Sequence, residues 1–438
     1  MGKQQLEFQL YEITLEEICK IETLTRAFKS VKRNKGAPGI DGKTIKEYEE
    51  NLQEELEELQ REVLNWTYKP TPVKRVEIPK PGGGGIRLLG IPIVKDRVLH
   101  MAIKMVIEPT IDPTFSNNSY GFRPNRNQRQ AVESAQKIVQ SGKEHVVDID
   151  LSKFFDRINH DKLIHNLKTH IKDKRILRLI GMILRGGIMS EGNLIISKEG
   201  SVQGSPLSPL LSNVVLDELD KELEKRDLEF CRYADDCNIF VKTPRAAERV
   251  LKSLKKFIEK KLKLKVNDKK SKAAKADKIK FLGMTIVNGT IAISRKAIQA
   301  AMDMVKELIP RGTHIPIERA MVLINRWYRG WASYFKMTQY PSQLYKIEAH
   351  IRRRLRARFV KQQKKPKHLC NKLKQLGVSD SLARRTAYSN RKPWAMSHTR
   401  GLEKAYSVKD FIEKFGQKIL SDREEEHWFG IGKWVKLT

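Results

Sequence analysis

Long apolar runs are missing from this chain: no stretch of its 438 residues approaches about 18 consecutive apolar positions, and Met1 to Tyr11 carry no signal-peptide core. Neither a membrane span nor signal-directed export is expected, and a cytoplasmic protein is. Cysteine is scarce as well. Cys19, Cys231, Cys237 and Cys370 form no CxxC pair, which argues against a zinc ribbon or a disulfide framework and for four small buried side chains. Acids are in deficit, 52 Asp+Glu against 85 Lys+Arg, giving net charge +33 and pI ≈ 9.9. So large an excess calls for a polyanionic partner, nucleic acid above all. The length suffices for a large core and more than one subdomain.

Against this basic background, the acids gain meaning from their positions. Tyr233-Ala234-Asp235-Asp236 stands between the apolar runs Phe230-Cys231-Arg232 and Cys237-Asn238-Ile239-Phe240-Val241, which predicts a hairpin with two carboxylates in its turn. A cation would make such a turn tolerable. Upstream, Val146-Val147-Asp148-Ile149-Asp150-Leu151 is a second β-type run that ends in acids and meets the aromatic pair Phe154-Phe155 and Asp156. Between the two lies Gln203-Gly204-Ser205-Pro206-Leu207-Ser208-Pro209, a turn entering an apolar helix.

Acids on two separate strands are what two-metal phosphoryl transfer needs. Two Mg²⁺ ions about 4 Å apart clamp the attacking and leaving oxygens, and their charge requires carboxylates on opposite sides. Asp150 and Asp235 are the expected metal ligands, with Asp236 completing the negative cage. Asp148 shares the strand face of Asp150 by alternation and is the rival ligand. Asp156 reads as a helix-start residue.

Elsewhere the chain alternates helical and strand patterns. Ile45, Tyr48, Leu52, Leu56, Leu59 and Val63 recur at helical spacing in the one markedly acidic segment. Val73 to Ile78 and Ile86 to Ile91 read as strands joined by Lys80-Pro81-Gly82-Gly83-Gly84-Gly85, and helices are expected near 95–108, 127–140, 160–185, 208–226 and 244–263. Residues 252–280 hold thirteen lysines and three acids, and a further hairpin follows at 279–293. Strands then stop. Trp327, Trp331 and Tyr334 make a packing stripe, and residues 350–374 carry eleven Lys/Arg and no acid. Arg352, Arg353, Arg354, Arg356 and Arg358 circle that helix, and phosphate contact is expected of them.

Taken in order, these segments resemble a bacterial group II intron reverse transcriptase, or maturase, from about residue 30 to 415. The resemblance is carried by the loop Asn34 to Gly42, Ile78-Pro79-Lys80-Pro81, Arg87-Leu88-Leu89-Gly90-Ile91-Pro92, Ser119-Tyr120-Gly121-Phe122-Arg123-Pro124, Asp148-Ile149-Asp150 and Phe154-Phe155-Asp156. It continues through Gln203-Gly204, Pro206-Leu207-Ser208-Pro209-Leu210-Leu211, Arg232-Tyr233-Ala234-Asp235-Asp236 and Phe281-Leu282-Gly283. Ile324-Asn325-Arg326-Trp327, Gly330-Trp331, Tyr334-Phe335 and Ala383-Arg384-Arg385-Thr386-Ala387-Tyr388 resemble the maturase-type thumb.

The resemblance implies an α+β right-hand polymerase fold: an N-terminal extension over 1–70, fingers and an antiparallel-sheet palm over 71–295, a helical thumb over 296–415 and a tail over 416–438. It implies an RNA template, group II intron RNA included, a DNA or RNA primer, dNTPs, and two Mg²⁺, for which Mn²⁺ would substitute. Bacterial cytoplasm, in association with the nucleoid, is the implied location. By the same resemblance Asp150, Asp235 and the carbonyl of Leu151 bind metal and Asp236 supports the site. Phe155 excludes a 2′-hydroxyl, Lys80 and Arg87 hold the triphosphate, Gln203 and Pro206 shape the nucleotide pocket, Lys270 lies near the primer, and Arg123 contacts nucleic acid. The family pattern differs at Ser205, where a glycine is usual, at Lys269, where a glutamate is, and in a glycine loop one residue longer. After Phe415 nothing resembles the Cys- and His-bearing nuclease module of some relatives, so DNA cleavage is not expected. The alternatives are a splicing-only RNA-binding cofactor and a free-standing enzyme of the same type in repair or phage defence.

Overall fold

The computed structural model describes residues 13–79, 85–190, 193–195, 199–310, 312 and 315–420, and the chain divides into two compact units, Met1–Lys275 and Ala276–Thr438. Among the described residues no helix is long and apolar enough to cross a membrane.

The first unit begins with helices that use their apolar stripes to cover a central one. Ile21–Arg33 and Leu52–Leu64 bury Leu24, Phe28, Leu56 and Leu59 in the same cluster as Val98, Leu99 and Ile103 of the helix Val94–Ile111. The acidic segment is two helices, not one. Thr44 and Glu47 form a capping box that starts Ile45–Glu50, and the backbone leaves helical geometry at Asn51.

Two four-stranded sheets follow. In one, β1 (Val73–Pro79) pairs antiparallel with β2 (Ile86–Ile91) as its alternation predicts. The palm sheet has the order β6-β7-β3-β8, with β3 at His145–Ile149, β6 at Glu229–Tyr233, β7 at Asp236–Val241 and β8 at Lys272–Lys275, all antiparallel. Val147, Ile149, Phe230, Cys237, Ile239 and Val241 share its core face with Leu216 and Leu254 of the helices Ser208–Lys225 and Pro244–Phe257. The cysteines are buried and unpaired. Two elements have no sequence signal: the hairpin of β4 (Ile188–Ser190) and β5 (Asn193–Ile195), which extends the first sheet parallel to β1, and β8. Lys-Ala-Ala-Lys has little β-propensity, and pairing with β3 alone makes it a strand.

The second unit contains the hairpin of β9 (Met284–Val287) and β10 (Thr290–Ile293), which precedes eight described helices. Gln339 and Gln343, from the helical part, hydrogen-bond the backbone of Ile291 and Ile293. That stitching places the hairpin with the helices, so the division falls after Lys275, ahead of the composition shift near 295. In Ile317–Phe335, Trp327, Trp331 and Phe335 stack in series and Tyr328 is buried, its hydroxyl donating to Glu348. The aromatic stripe packs.

Candidate active site

Asp150 follows the last residue of β3 and is held there by a strap from residues 265–271. Asn267 N donates to Asp150 O at 2.8 Å, Ser152 N donates to Lys265 O at 2.8 Å, and the Ser271 hydroxyl accepts from Asp150 N at 3.0 Å. Leu151 is bridged to Val266 within the same strap. With its main chain fixed on both sides, the Asp150 carboxylate projects half-exposed, 3.7 Å from Lys270 Nζ. Ser271 and Asn267 gave no signal in the sequence beyond lying in a lysine-rich stretch.

The predicted hairpin is present, with one of its two expected turn carboxylates, Asp236, placed in the strand instead. Tyr233 pairs with Asp236, so Ala234 and Asp235 form a two-residue turn, with Ala234 at φ 58°. An alanine with positive φ is strained, and the strain is met from below. Arg232, fully buried, donates to the Ala234 carbonyl at 2.9 Å and to Asn213 Oδ1 at 3.0 Å, and its fork engages both oxygens of buried Asp220 at 2.7 and 2.5 Å. Burial pushes the Asp220 carboxyl up and the guanidinium opposes it. Asn213 passes the restraint on, donating to Gly121 O at 2.9 Å. Gly121 itself admits no side chain, since a Cβ there would sit 2.1 Å from Ala234 N. The Ser119-Tyr120-Gly121 segment thus lies directly against the acidic turn, and Tyr120 N donates to Arg232 O at 2.8 Å.

The two acidic elements meet electrostatically. Burial raises the Asp235 carboxyl above its ordinary range, the negative charge of Asp150 raises it further, and Arg87 of β2 and Arg232 pull it back. Asp150 is the acid whose charge raises Asp235; the rival Asp148 lies within β3, opposite Asn238 and Lys272 in register. Asp236 starts β7 at half burial. Among the described residues no three acidic, histidine or cysteine side chains converge as a complete metal shell. A desolvated carboxylate facing a second one nonetheless has the hard-oxygen chemistry of a divalent-cation site whose remaining ligands come from backbone, water or substrate.

Around this centre the other expected residues fall unevenly. Phe155 is half-buried, edge-on to Phe154 at 5.2 Å, and its carbonyl accepts from Ser201 N at 2.7 Å. Asp156 lies inside the short 3₁₀ turn Phe154–Arg157 and starts no α-helix. Gln203 is half-exposed, and Gln203 O accepts from Gly90 N at 2.7 Å, linking its loop to the strand that bears Arg87. Gly204 is obligatory there: its φ is 125° and a Cβ would meet Gly90 O at 2.3 Å. Pro206 is half-exposed beside it. Lys80 lies outside the described residues.

The arginines expected at nucleic acid are otherwise engaged. Arg123 is buried, paired with Asp112 at 2.7 Å and donating to the carbonyls of Asp112, Ser116 and Ser119, so its donors are spent inside the protein. On Pro341–Gln362, Arg354 donates to Lys306 O and Ile309 O, and Arg356 to Tyr406 O at 2.8 Å. These carbonyls lie at the C-terminal ends of Arg295–Leu308 and Arg400–Ala405, where helices leave acceptors unsatisfied and favour a positive charge. Arg352 is buried beside the Tyr345 ring, Arg353 lies 3.9 Å over Trp394, and Arg358 is 1% exposed with no hydrogen-bond partner among the described residues. Circling a helix without acidic neighbours marked these side chains for phosphate contact in the sequence; in the structure Arg352, Arg354, Arg356 and Arg358 are buried and Arg353 is half-buried.

Residues 78–286 match the reverse transcriptase (RNA-dependent DNA polymerase) family, and residues 298–377 match the group II intron maturase-specific domain. Protein YkfC of Escherichia coli is 32% identical over 314 residues, covering 62% of this chain and 82% of YkfC. The group II intron-encoded protein LtrA of Lactococcus lactis is 32% identical over 208 residues, which are 47% of this chain and 34% of LtrA. Among solved structures, a chain of a Cas6-RT-Cas1–Cas2 complex aligns at TM-score 0.37 and 24% identity over 56% of this chain and 42% of that one. With Asp150 at the end of β3 and Asp235 in the β6–β7 turn both inside the first matched region, and the helical unit carrying the second, the chain belongs to the group II intron reverse transcriptase and maturase family, an RNA-directed DNA polymerase with a maturase domain.

Proposed function

We propose that the chain copies RNA into DNA by two-metal nucleotidyl transfer centred on Asp150 and Asp235. The observation that carries this reading is that β7 pairs with both β3 and β6, which brings the half-buried turn residue Asp235 and the strand-end residue Asp150 to one edge of the sheet. There burial and the charge of Asp150 raise the Asp235 carboxyl and the charge of Arg87 lowers it. Asp150, Asp235 and the Leu151 carbonyl would hold two Mg²⁺, or Mn²⁺ in their place, with Asp236 adding negative charge. When bound, such ions polarise the attacking and leaving oxygens of an in-line displacement.

The remaining work falls to the protein. Arg87, together with Lys80, neutralises the triphosphate, while Gln203 and Pro206 wall the base and sugar and Phe155 closes the space beside C2′. Lys270, close to Asp150, supplies positive charge on the primer side. The palm acts on a primer, DNA or RNA, paired to an RNA template. Group II intron RNA is the polyanion that the maturase domain and the +33 charge are suited to bind, in the bacterial cytoplasm and at the nucleoid.

The test is primer extension on RNA with dNTPs and Mg²⁺. Asp235→Ala is expected to lower the rate by at least about 1,000-fold, the scale on which losing a transition-state charge partner acts, with RNA affinity kept. Near-normal extension by that variant overturns the assignment. Phe155→Ala is expected to reduce discrimination against ribonucleotides by about 10- to 100-fold, and unchanged selectivity moves the gate to another side chain.

A further inference from the structure

Beneath the Gln203–Gly204 loop lies a buried polar cluster that the proposed chemistry does not use. His100, in the helix Val94–Ile111, is 4% exposed, and its Nδ1 is 2.9 Å from the hydroxyl of Ser205. Burial depresses the imidazole to about 3, so it is neutral throughout the working range of pH. The Ser205 hydroxyl also accepts from Leu207 N at 3.3 Å, and its proton and second lone pair let it bond either tautomer of His100. Beside it, the Ser208 hydroxyl donates to Val202 O at 2.8 Å and lies 2.7 Å from the Ser201 hydroxyl. These side chains line a cavity of about 20 Å³ together with Asp96, Thr71, Val73 and Leu211, room for about one water molecule.

The cluster is joined to the walls of the nucleotide pocket by backbone. Ser201 N holds the carbonyl of Phe155, and Gly90 N holds that of Gln203, two residues before Ser205. Backbone alone does not fix the depth of the loop. Gly204 has a positive φ and no side chain, so its neighbour Ser205 is where a side chain first ties the loop to the helix beneath. We infer that Ser205 and His100 are positioning residues for nucleotide binding: their buried hydrogen bond sets the height of Gln203 against Arg87 and Phe155. The inference rests on the reading of Gln203 as a wall of the nucleotide pocket. Ser205, where the family usually has glycine, is then a substitution with a partner of its own in His100.

The experiment is steady-state single-nucleotide extension with full-length protein, reading the dNTP KM and kcat separately, with a thermal melt of each variant. Ser205→Ala and Ser205→Gly are expected to raise the dNTP KM by about three- to tenfold, the scale of one buried hydrogen bond, with kcat changed less than about twofold. His100→Asn, whose amide keeps both a donor and an acceptor within reach of Ser205, is expected to stay within about twofold of the parent KM, whereas His100→Leu matches Ser205→Ala. The double variant Ser205→Ala/His100→Leu is expected to be no worse than either single one, as one shared interaction requires. Gln203→Ala serves as the reference. If it raises KM while folded Ser205→Ala and Ser205→Gly leave KM unchanged, the positioning role is overturned and the pocket assignment stands. If Gln203→Ala leaves KM unchanged, the pocket assignment falls and the inference falls with it. A melting point lowered in Ser205→Ala with KM unmoved shows a purely structural bond and also overturns it.

Discussion

Buried arginines occur in both units of this protein and serve different ends. In the palm, Arg232 meets a buried carboxylate, an asparagine and the carbonyl of Ala234, and the result is a fixed acidic turn. In the helical unit, Arg354 and Arg356 turn to the main chain. Their main partners are carbonyls at helix ends, and the result is a fixed angle between helices. A guanidinium can leave water either by neutralising a carboxylate or by completing a helix terminus. The first arrangement aims chemistry, and the second assembles a scaffold whose outer face remains basic through Lys361, Lys364, Lys365 and Lys367.

The contrast can be broken most directly at Arg232. Arg232→Met leaves Asp220 buried without its partner and is expected to cost about 3–5 kcal/mol in chemical denaturation, with extension lost even in the fraction that stays folded. Retained activity would show that the turn keeps its strained shape unaided. A smaller effect is expected from Arg356→Met, about 1.5–3 kcal/mol for the lost charged donor at Tyr406 O. Its salt dependence of RNA binding should match the parent; a slope flatter by about 0.7 in log K against log[salt] would return Arg356 to the phosphate contacts expected from sequence. Arg358 offers the opposite sign. Buried and without a hydrogen-bond partner among the described residues, it should give up about 1 kcal/mol of desolvation cost on replacement by Met, raising the melting temperature. A lowered melting temperature would mean that its stem packing outweighs its charge.

The smallest expected effect concerns Asp235 in metal-free protein. Its folded pKa is raised, so the charged form opposes folding above that pKa and the penalty is relieved as pH falls through it. Asp235→Asn should therefore stabilise the metal-free protein at neutral pH, and the advantage should shrink towards acidic pH, as thermal melts across that range will report. An advantage independent of pH would assign it to packing instead of charge.

Much of the site was legible because its signal is local. The apolar runs flanking Tyr233-Ala234-Asp235-Asp236 have a period that forces a hairpin, and the hairpin places both acids at its end whatever surrounds it. Asp150 was legible for the same reason, as the end of an alternating strand. Ser271 and Asn213 were not, because a hydroxyl or amide in a helix or loop carries no mark of the backbone atom it will meet more than 90 residues away. The arginines of Pro341–Gln362 misled for a related reason. Charge without acidic neighbours reads as phosphate-contacting, and carbonyls at the ends of other helices leave no trace in composition.

What the sequence alone determined, then, is the order of elements, the two acidic strand ends and the excess of positive charge, each a property of spacing or count. Tertiary structure alone decided that β8 exists as a strand, that the β9–β10 hairpin sides with the helices, and that Ser205 turns inward to His100. It also decided which arginines remain for RNA. These outcomes depend on partners brought together across the chain, and a buried polar group takes whichever acceptor or donor the fold sets beside it, since leaving it unpaired costs about 1–3 kcal/mol.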